Sequence, residues 1–230
     1  MRDCNAKAEL AKMFAKAAEQ ILNHAEMLSQ LDSVGGDGDH GATMTRAMEK
    51  LKSAFDLPNT GTAGAILKEA GWSVMNVDGG ASSALLGTFI AGMGDSEIGE
   101  ELDCKRLADS FKAGLHAVLG RTKANCGDKT MIDALFPAID AFNAAASSGK
   151  TIAKSMREAA TAAEAGAEST KDMVARYGRA RSLGERTRGH MDPGAASIAL
   201  LFLGFSEAFA TESEEISTAG TDRSSAMKLP

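Results

Sequence analysis

An all-helical fold is predicted by three features of this sequence: apolar residues recur at helical spacing between Lys and Glu, alanine is abundant, and no run of alternating β-branched residues competes. Only four prolines interrupt 230 residues, a length that bounds one large domain or two small ones and permits a substantial core. We read a single domain. The first helix runs from about Ala6 to Gln30, with Leu10, Phe14, Ala17, Ile21, Ala25 and Leu28 on one stripe, and ends near Asp32. A second starts around Gly41, carries Met44, Ala47, Met48 and Leu51, and stops before Pro58. GTAG at 61–64 opens the third, whose Ile66, Ala70 and Val74 lead to a glycine break at Gly79 and Gly80. A small-residue helix follows through about Ala91. After the acidic loop GDSEIGEELD, a helix spans about Cys104 to Leu119, the loop GRTKANCGDKT intervenes, and another helix begins near Met131. SSGK at 147–150 precedes a long Ala-rich helix from Thr151 to about Arg176. The loop YGRARSLGERTRGHMDPG leads into a final apolar helix, with Asp192 in the cap position and Pro193 in the first turn. Residues 1–211 make the domain, and the polar segment 212–230 is expected to be a flexible tail.

Charge and composition narrow the function. A net charge of −6 without a basic cluster leaves no electrostatic footprint for nucleic acid or an anionic membrane surface. The longest apolar run, Ala195 to Phe205, is interrupted by Ser197 and Gly204 and falls short of the roughly 20 residues that span a bilayer. Met1 is followed by Arg2, Asp3 and Asn5, so no signal peptide is expected and the chain reads as cytoplasmic. Cys4, Cys104 and Cys126 lack CxxC spacing, fit a reducing compartment and are given no catalytic role.

The stretch LDSVGGDGDHGATM, Leu31 to Met44, gathers Asp32, Asp37, Asp39, His40 and four glycines between two helices. Hard oxygen ligands at this density suit Mg²⁺, although Asp and Gly are also ordinary turn residues. In an up-and-down bundle every second connection lies at the same end, which places the loops at 32–43, 78–83, 120–131 and 177–194 together. Asp37 and Asp39, two apart, point to one side of an extended loop. A nucleotide polyphosphate would bring roughly three or four more negative charges, each contact at about 4 Å costing on the order of 1 to 4 kcal/mol. Two Mg²⁺ ions would cancel most of this, and the helix start after Gly41 would add free backbone donors. A calcium loop beginning at Asp37 fails, since position six is Ala42 and position twelve Met48. Zinc spacing is absent around His24, His40, His116 and His190; His24 and His116 read as packing or surface residues. GDKT at 127–130 ends like a P-loop but has the wrong glycine spacing, and no GxGxxG occurs.

GDGDHG at 36–41, GGASS at 79–83, GDKTM at 127–131, and GRARSLGER with GHMDPGA between 178 and 195 together resemble the nucleotide-binding L subunit of dihydroxyacetone kinase, from about Leu10 to Ala210. The resemblance implies an eight-helix antiparallel barrel holding ADP or ATP through two Mg²⁺ at one end. It implies Asp32, Asp37 and Asp39 as metal ligands, and His40, Gly41, Ala42 and Thr43 against the phosphates. Ala81 and Ser82 would meet the nucleotide, Thr122 and Met131 would line base and ribose, Arg179 would face phosphate, and Asp192, Pro193 and Gly194 would close over it. Each has a plainer alternative: Met131 as core, Arg179 as a solvated cation, Asp192 as a helix cap. Thr122 stands where the family pattern has glycine. The implied reaction moves a terminal phosphoryl group to a short ketose, dihydroxyacetone first and erythrulose as the alternative, held by a separate K subunit. The donor is either exchangeable ATP or ADP recharged in place by a phosphocarrier of the phosphotransferase system. Two other classes stay open at this point: a non-catalytic nucleotide-sensing module contacting a transcriptional regulator, and a purely structural bundle.

Overall fold

Local capping chemistry sets most helix starts. Asn5 accepts from the Lys7 amide, Thr62 from Ala65, Asp103 from Arg106, Thr151 from Lys154 and Asp192 from Ala195, so each side chain satisfies an amide that has no intrahelical partner. In this computed structural model, which describes residues 5–56 and 61–210, the helices are α1 (Ala6–Asn23), α2 (Ala25–Ser33), α3 (His40–Asp56), α4 (Ala63–Met75), α5 (Gly80–Met93), α6 (Cys104–Leu119), α7 (Ile132–Ser147), α8 (Ile152–Ser169) and α9 (Pro193–Phe209). Two 3₁₀ segments, η1 (Thr170–Asp172) and η2 (Arg179–Thr187), separate α8 from α9. The expected stop before Pro58, Cys4 and the expected tail at 212–230 lie outside the described residues.

With α1 and α2 taken as one interrupted helix, eight helices close a ring: each packs on its chain neighbour, α3 on α1, and α9 returns to α1. Consecutive packing through mostly short connections gives the up-and-down order. No strand forms among the described residues beyond an isolated bridge between Asn5 and Glu101. No described helix is long and apolar enough to cross a membrane.

Aromatic residues fill the interior. The Phe111 ring lies 5.0 Å from Phe142 edge-on, 5.6 Å from Phe202 and 6.0 Å from Phe205, while Phe14 meets Phe205 edge-on at 5.2 Å. All are fully buried, and each edge-on pair adds to the area it removes from water. Glycine permits close wall contact: a Cβ on Gly204 of α9 would lie 2.5 Å from the Cα of Ala17 on α1.

Three expectations on the elements are corrected. The single helix from Ala6 to Gln30 is two, because His24 leaves helical geometry (φ −113°, ψ 14°) while its Nδ1 bonds the Gln20 carbonyl at 2.8 Å. The Ala-rich helix ends at Ser169 rather than near Arg176, because Thr170 is held by groups from other loops, described below. The segment expected as a plain loop after it contains η2, kinked at Gly184 with φ 56°.

Candidate functional site

At one end of the ring the chain between α2 and α3 curls over Asp32. Its carbonyl accepts from Gly36 N at 2.6 Å and its Oδ2 from Gly38 N at 2.9 Å, so the turn is closed on the carboxylate itself. Gly38 needs φ 76° for this, and a side chain on Gly36 would collide with the Asp32 carboxylate. The curl brings Asp37 and Asp39 back: one carboxylate oxygen from each of Asp32, Asp37 and Asp39 lies within 4.8 Å of the other two. Arg179, from the start of η2, pairs with Asp37 and reaches Asp39 at 3.9 Å. Burial and the hydrogen bond it gives to Asp37 push the Asp39 carboxyl up. Burial also acts to raise Asp37, but the hydrogen bond from Asp39 and the Arg179 charge outweigh it and hold Asp37 below the usual carboxylate range.

Four helix starts meet beside this trio. His40 and Met44 of α3, Ser82 and Leu86 of α5, Met131 at the head of α7, and Gly194, Ser197 and Ile198 of α9 line one small cleft. Alternate helices therefore present their N-termini and positive dipole ends to a common rim, with Ala195 N of α9 and Ile132 N of α7 already capped by Asp192 and Thr130. The second turn is braced from α3: Arg46 donates to Thr43 Oγ1 at 3.1 Å and to the Asp78 carbonyl at 2.9 Å. Gly79 lies so close to Thr43 that any Cβ would strike its side chain, and Ser83 Oγ donates to the Val77 carbonyl at 3.1 Å.

The third and fourth loops interlock. Asp133 Oδ2 accepts from Thr130 N at 2.7 Å, and Asp128 Oδ2 from Asn125 N at 2.8 Å, so the carboxylates of the 125–133 turn fold the turn itself. Arg176 N donates to the Asp128 carbonyl at 3.1 Å and Tyr177 Oη to the Lys123 carbonyl at 2.9 Å. The Asp192 carboxyl caps α9 through Ala195 N at 2.8 Å, and its burial there pushes its pKa up to about 7.

The residues expected at the site divide by placement. Asp32, Asp37, Asp39, Ala42, Ala81, Ser82, Arg179, Asp192 and Pro193 keep some exposure at this rim. Gly41 and Thr43 turn inward: Gly41 presses on the Ala25 carbonyl and Thr43 is pinned under Gly79. His40 is 6% exposed, with its Nε2 2.8 Å from Ser197 Oγ, and burial lowers its pKa, so the imidazole is neutral and packs against α9. Met131 and Gly194 are buried and adjoin each other where they line the cleft. Thr122 bonds within its own loop, to Ala124 N at 3.1 Å, and does not line the cleft. The absence of a basic cluster is corrected here, since Arg176, Arg179, Arg181, Arg186 and Arg188 are all exposed on one segment at this end.

Residues 34–207 match the DAK2 domain. The chain belongs to the DAK2 domain family. It is 37% identical over 184 residues to "PEP-dependent dihydroxyacetone kinase 1, ADP-binding subunit DhaL" of Listeria innocua, covering 80% of this chain and 87% of that one. To the corresponding Escherichia coli subunit DhaL it is 33% identical over 193 residues, covering 84% and 92%. Its fold superposes on the crystal structure of the dihydroxyacetone kinase from C. freundii in complex with AMP-PNP and Mg²⁺, with a TM-score of 0.66 and 26% identity. That match covers 87% of this DAK2 chain and 34% of the solved chain, so the chain spans about a third of that protein's length.

Sequence reasoning left three residues of the rim without a role. Arg46 lies three residues after Thr43, a spacing that stacks the two on one helix face. Lys129 stood inside GDKTM without a task, and Ser197 had no local signal at all, since its His40 partner is 157 residues away.

Proposed function

We propose that this chain is the nucleotide-binding subunit of a dihydroxyacetone-type kinase, transferring a phosphoryl group to a short ketose held by a separate K-type subunit. The carrying observation is that three carboxylates within 4.8 Å of one another stand beside a cleft lined by the N-termini of four helices. That pairing suits a polyphosphate presented on divalent cations: hard oxygens on one side, anion-favouring amides on the other. Asp32, Asp37 and Asp39 would hold two Mg²⁺, which when bound would neutralise phosphoryl oxygens. The first-turn amides of α3, around Ala42, orient the phosphates, with the hydroxyl of Ser82 near them; the Thr43 hydroxyl is already engaged by Arg46. Arg179, already paired with Asp37, supplies a planar multi-donor counter-charge where negative charge accumulates. Met131 would line the ribose and base, Thr122 would flank them from its own loop outside the cleft, and Asp192 to Gly194 would cover the nucleotide. Positioning is the main contribution of these groups to phosphoryl transfer.

The relatives' names, PEP-dependent and ADP-binding, support ADP as a retained cofactor recharged in place by a phosphotransferase-system phosphocarrier. ADP should then survive gel filtration with the protein. Titration calorimetry of ADP with and without Mg²⁺ tests the core of the proposal: magnesium-dependent binding is expected, and no such binding would sink it. Alone with ATP and dihydroxyacetone the chain should form no ketose phosphate; robust turnover without a K subunit would overturn the two-subunit scheme.

A further inference from the structure

Lys129 is the one non-glycine residue with positive φ among those described, at 59°, in the turn leading into α7. It is also 5% exposed. A side chain in left-handed geometry and a desolvated ammonium are each costly, and both persist only where the surroundings over-determine them. The surroundings here are specific. Lys129 Nζ donates to the carbonyls of Thr170 and His190, both at 2.5 Å. Thr170 is fully buried; its Oγ1 donates to the Ala167 carbonyl at 2.6 Å and accepts from Asp192 N at 2.9 Å. The ammonium therefore joins three chain segments: its own turn, the end of α8, and the strand of loop that delivers Asp192 to the start of α9. The charges around it are Asp192, Asp133, Asp172 and Arg188. None of them is its hydrogen-bond partner, so the contact is to backbone, as a strap requires.

We propose that Lys129 is a positioning residue of the nucleotide site, its ammonium strapping the 190–194 segment to the turn before α7 and so setting how Gly194 sits against Met131 in the wall of the cleft. A Cβ on Gly194 would already lie 3.4 Å from Met131 Cβ, so a shift of the strap moves two lining residues of the cleft against each other. The effect on nucleotide rests on the proposed function; the strap itself does not.

Two variants separate the amine from the backbone. Lys129→Met keeps the stem and removes the charge, while Lys129→Gly removes the whole side chain and suits the left-handed backbone, which guards against simple misfolding. Hydrogen exchange without nucleotide should show faster exchange confined to 170–172 and 189–194 in both variants. Stopped-flow measurement with Mg²⁺ and a fluorescent ADP should show dissociation faster by about tenfold, the weight of one charge-assisted hydrogen bond, with association unchanged. Wild-type exchange in both variants, exchange raised uniformly across the chain, or loss in Lys129→Met but not in Lys129→Gly would overturn the strap. Wild-type protein that binds no nucleotide would instead overturn the functional reading, with the exchange result still deciding the strap.

Discussion

The wall of the barrel and its functional rim are built from opposite materials. In the wall, Phe14, Phe111, Phe142, Phe202 and Phe205 are fully buried, and close helix contact rests on a glycine such as Gly204. At the rim, Asp37 is exposed, two further carboxylates crowd it, and left-handed backbone gathers at Gly38, Gly79, Gly80, Gly127, Lys129, Gly178, Gly184 and Gly189. Only Gly99 and Gly149 of the described positive-φ residues lie elsewhere. Left-handed backbone and the tight carboxylate trio thus concentrate at the rim, while the wall carries the stability.

Breaking the wall should give the largest effect. Phe111→Ala leaves a cavity among four aromatic neighbours and should cost about 3 to 5 kcal/mol in urea unfolding, with Mg²⁺-dependent ADP affinity of the folded protein unchanged. A change in affinity equal to the change in stability would erase the division between the regions. The double substitution Asp37→Asn with Asp39→Asn should act in reverse. Calorimetry should find ADP affinity in Mg²⁺ lower by about 100-fold, or about 2.7 kcal/mol, while the unfolding midpoint holds or rises as repulsion is relieved.

The smallest expected effect sharpens the border between the two regions. Asp192 titrates at about 7 in the fold against an ordinary 3.8, so between those values the folded chain holds a proton that the unfolded chain has released. Its contribution to stability is greatest below the lower value, declines as pH rises to about 7 and is flat above. Asp192→Asn retains the cap on Ala195 N and should flatten that decline, making the variant the more stable form at pH above about 7. Thermal melts between these pH values measure it. Parallel wild-type and variant curves would mean that the Asp192 carboxyl is not desolvated.

How much of this was legible beforehand depended on how far apart the interacting groups sit. Asp32, Asp37 and Asp39 fall within eight residues, and a glycine-rich turn needs no distant help to bring them together. The α6 bounds and the Asp192–Pro193 start of α9 were equally readable, since caps act over three residues. The break at His24 was not: the amphipathic stripe continues through it, and only the imidazole's bond to Gln20 marks the place. The stop at Ser169 was hidden for a stronger reason, because an alanine-rich stretch carries no terminator of its own.

Sequence alone therefore determined most helix starts, their alternation and the acidic turn, all products of periodicity, capping and glycine acting between near neighbours. Tertiary structure decided which way the rim's side chains face. His40 turns inward because Ser197 waits on α9, and α8 stops where Lys129 and Asp192 engage Thr170. Those partners stand 157, 41 and 22 residues away, so their hydrogen bonds exist only once the ring has closed.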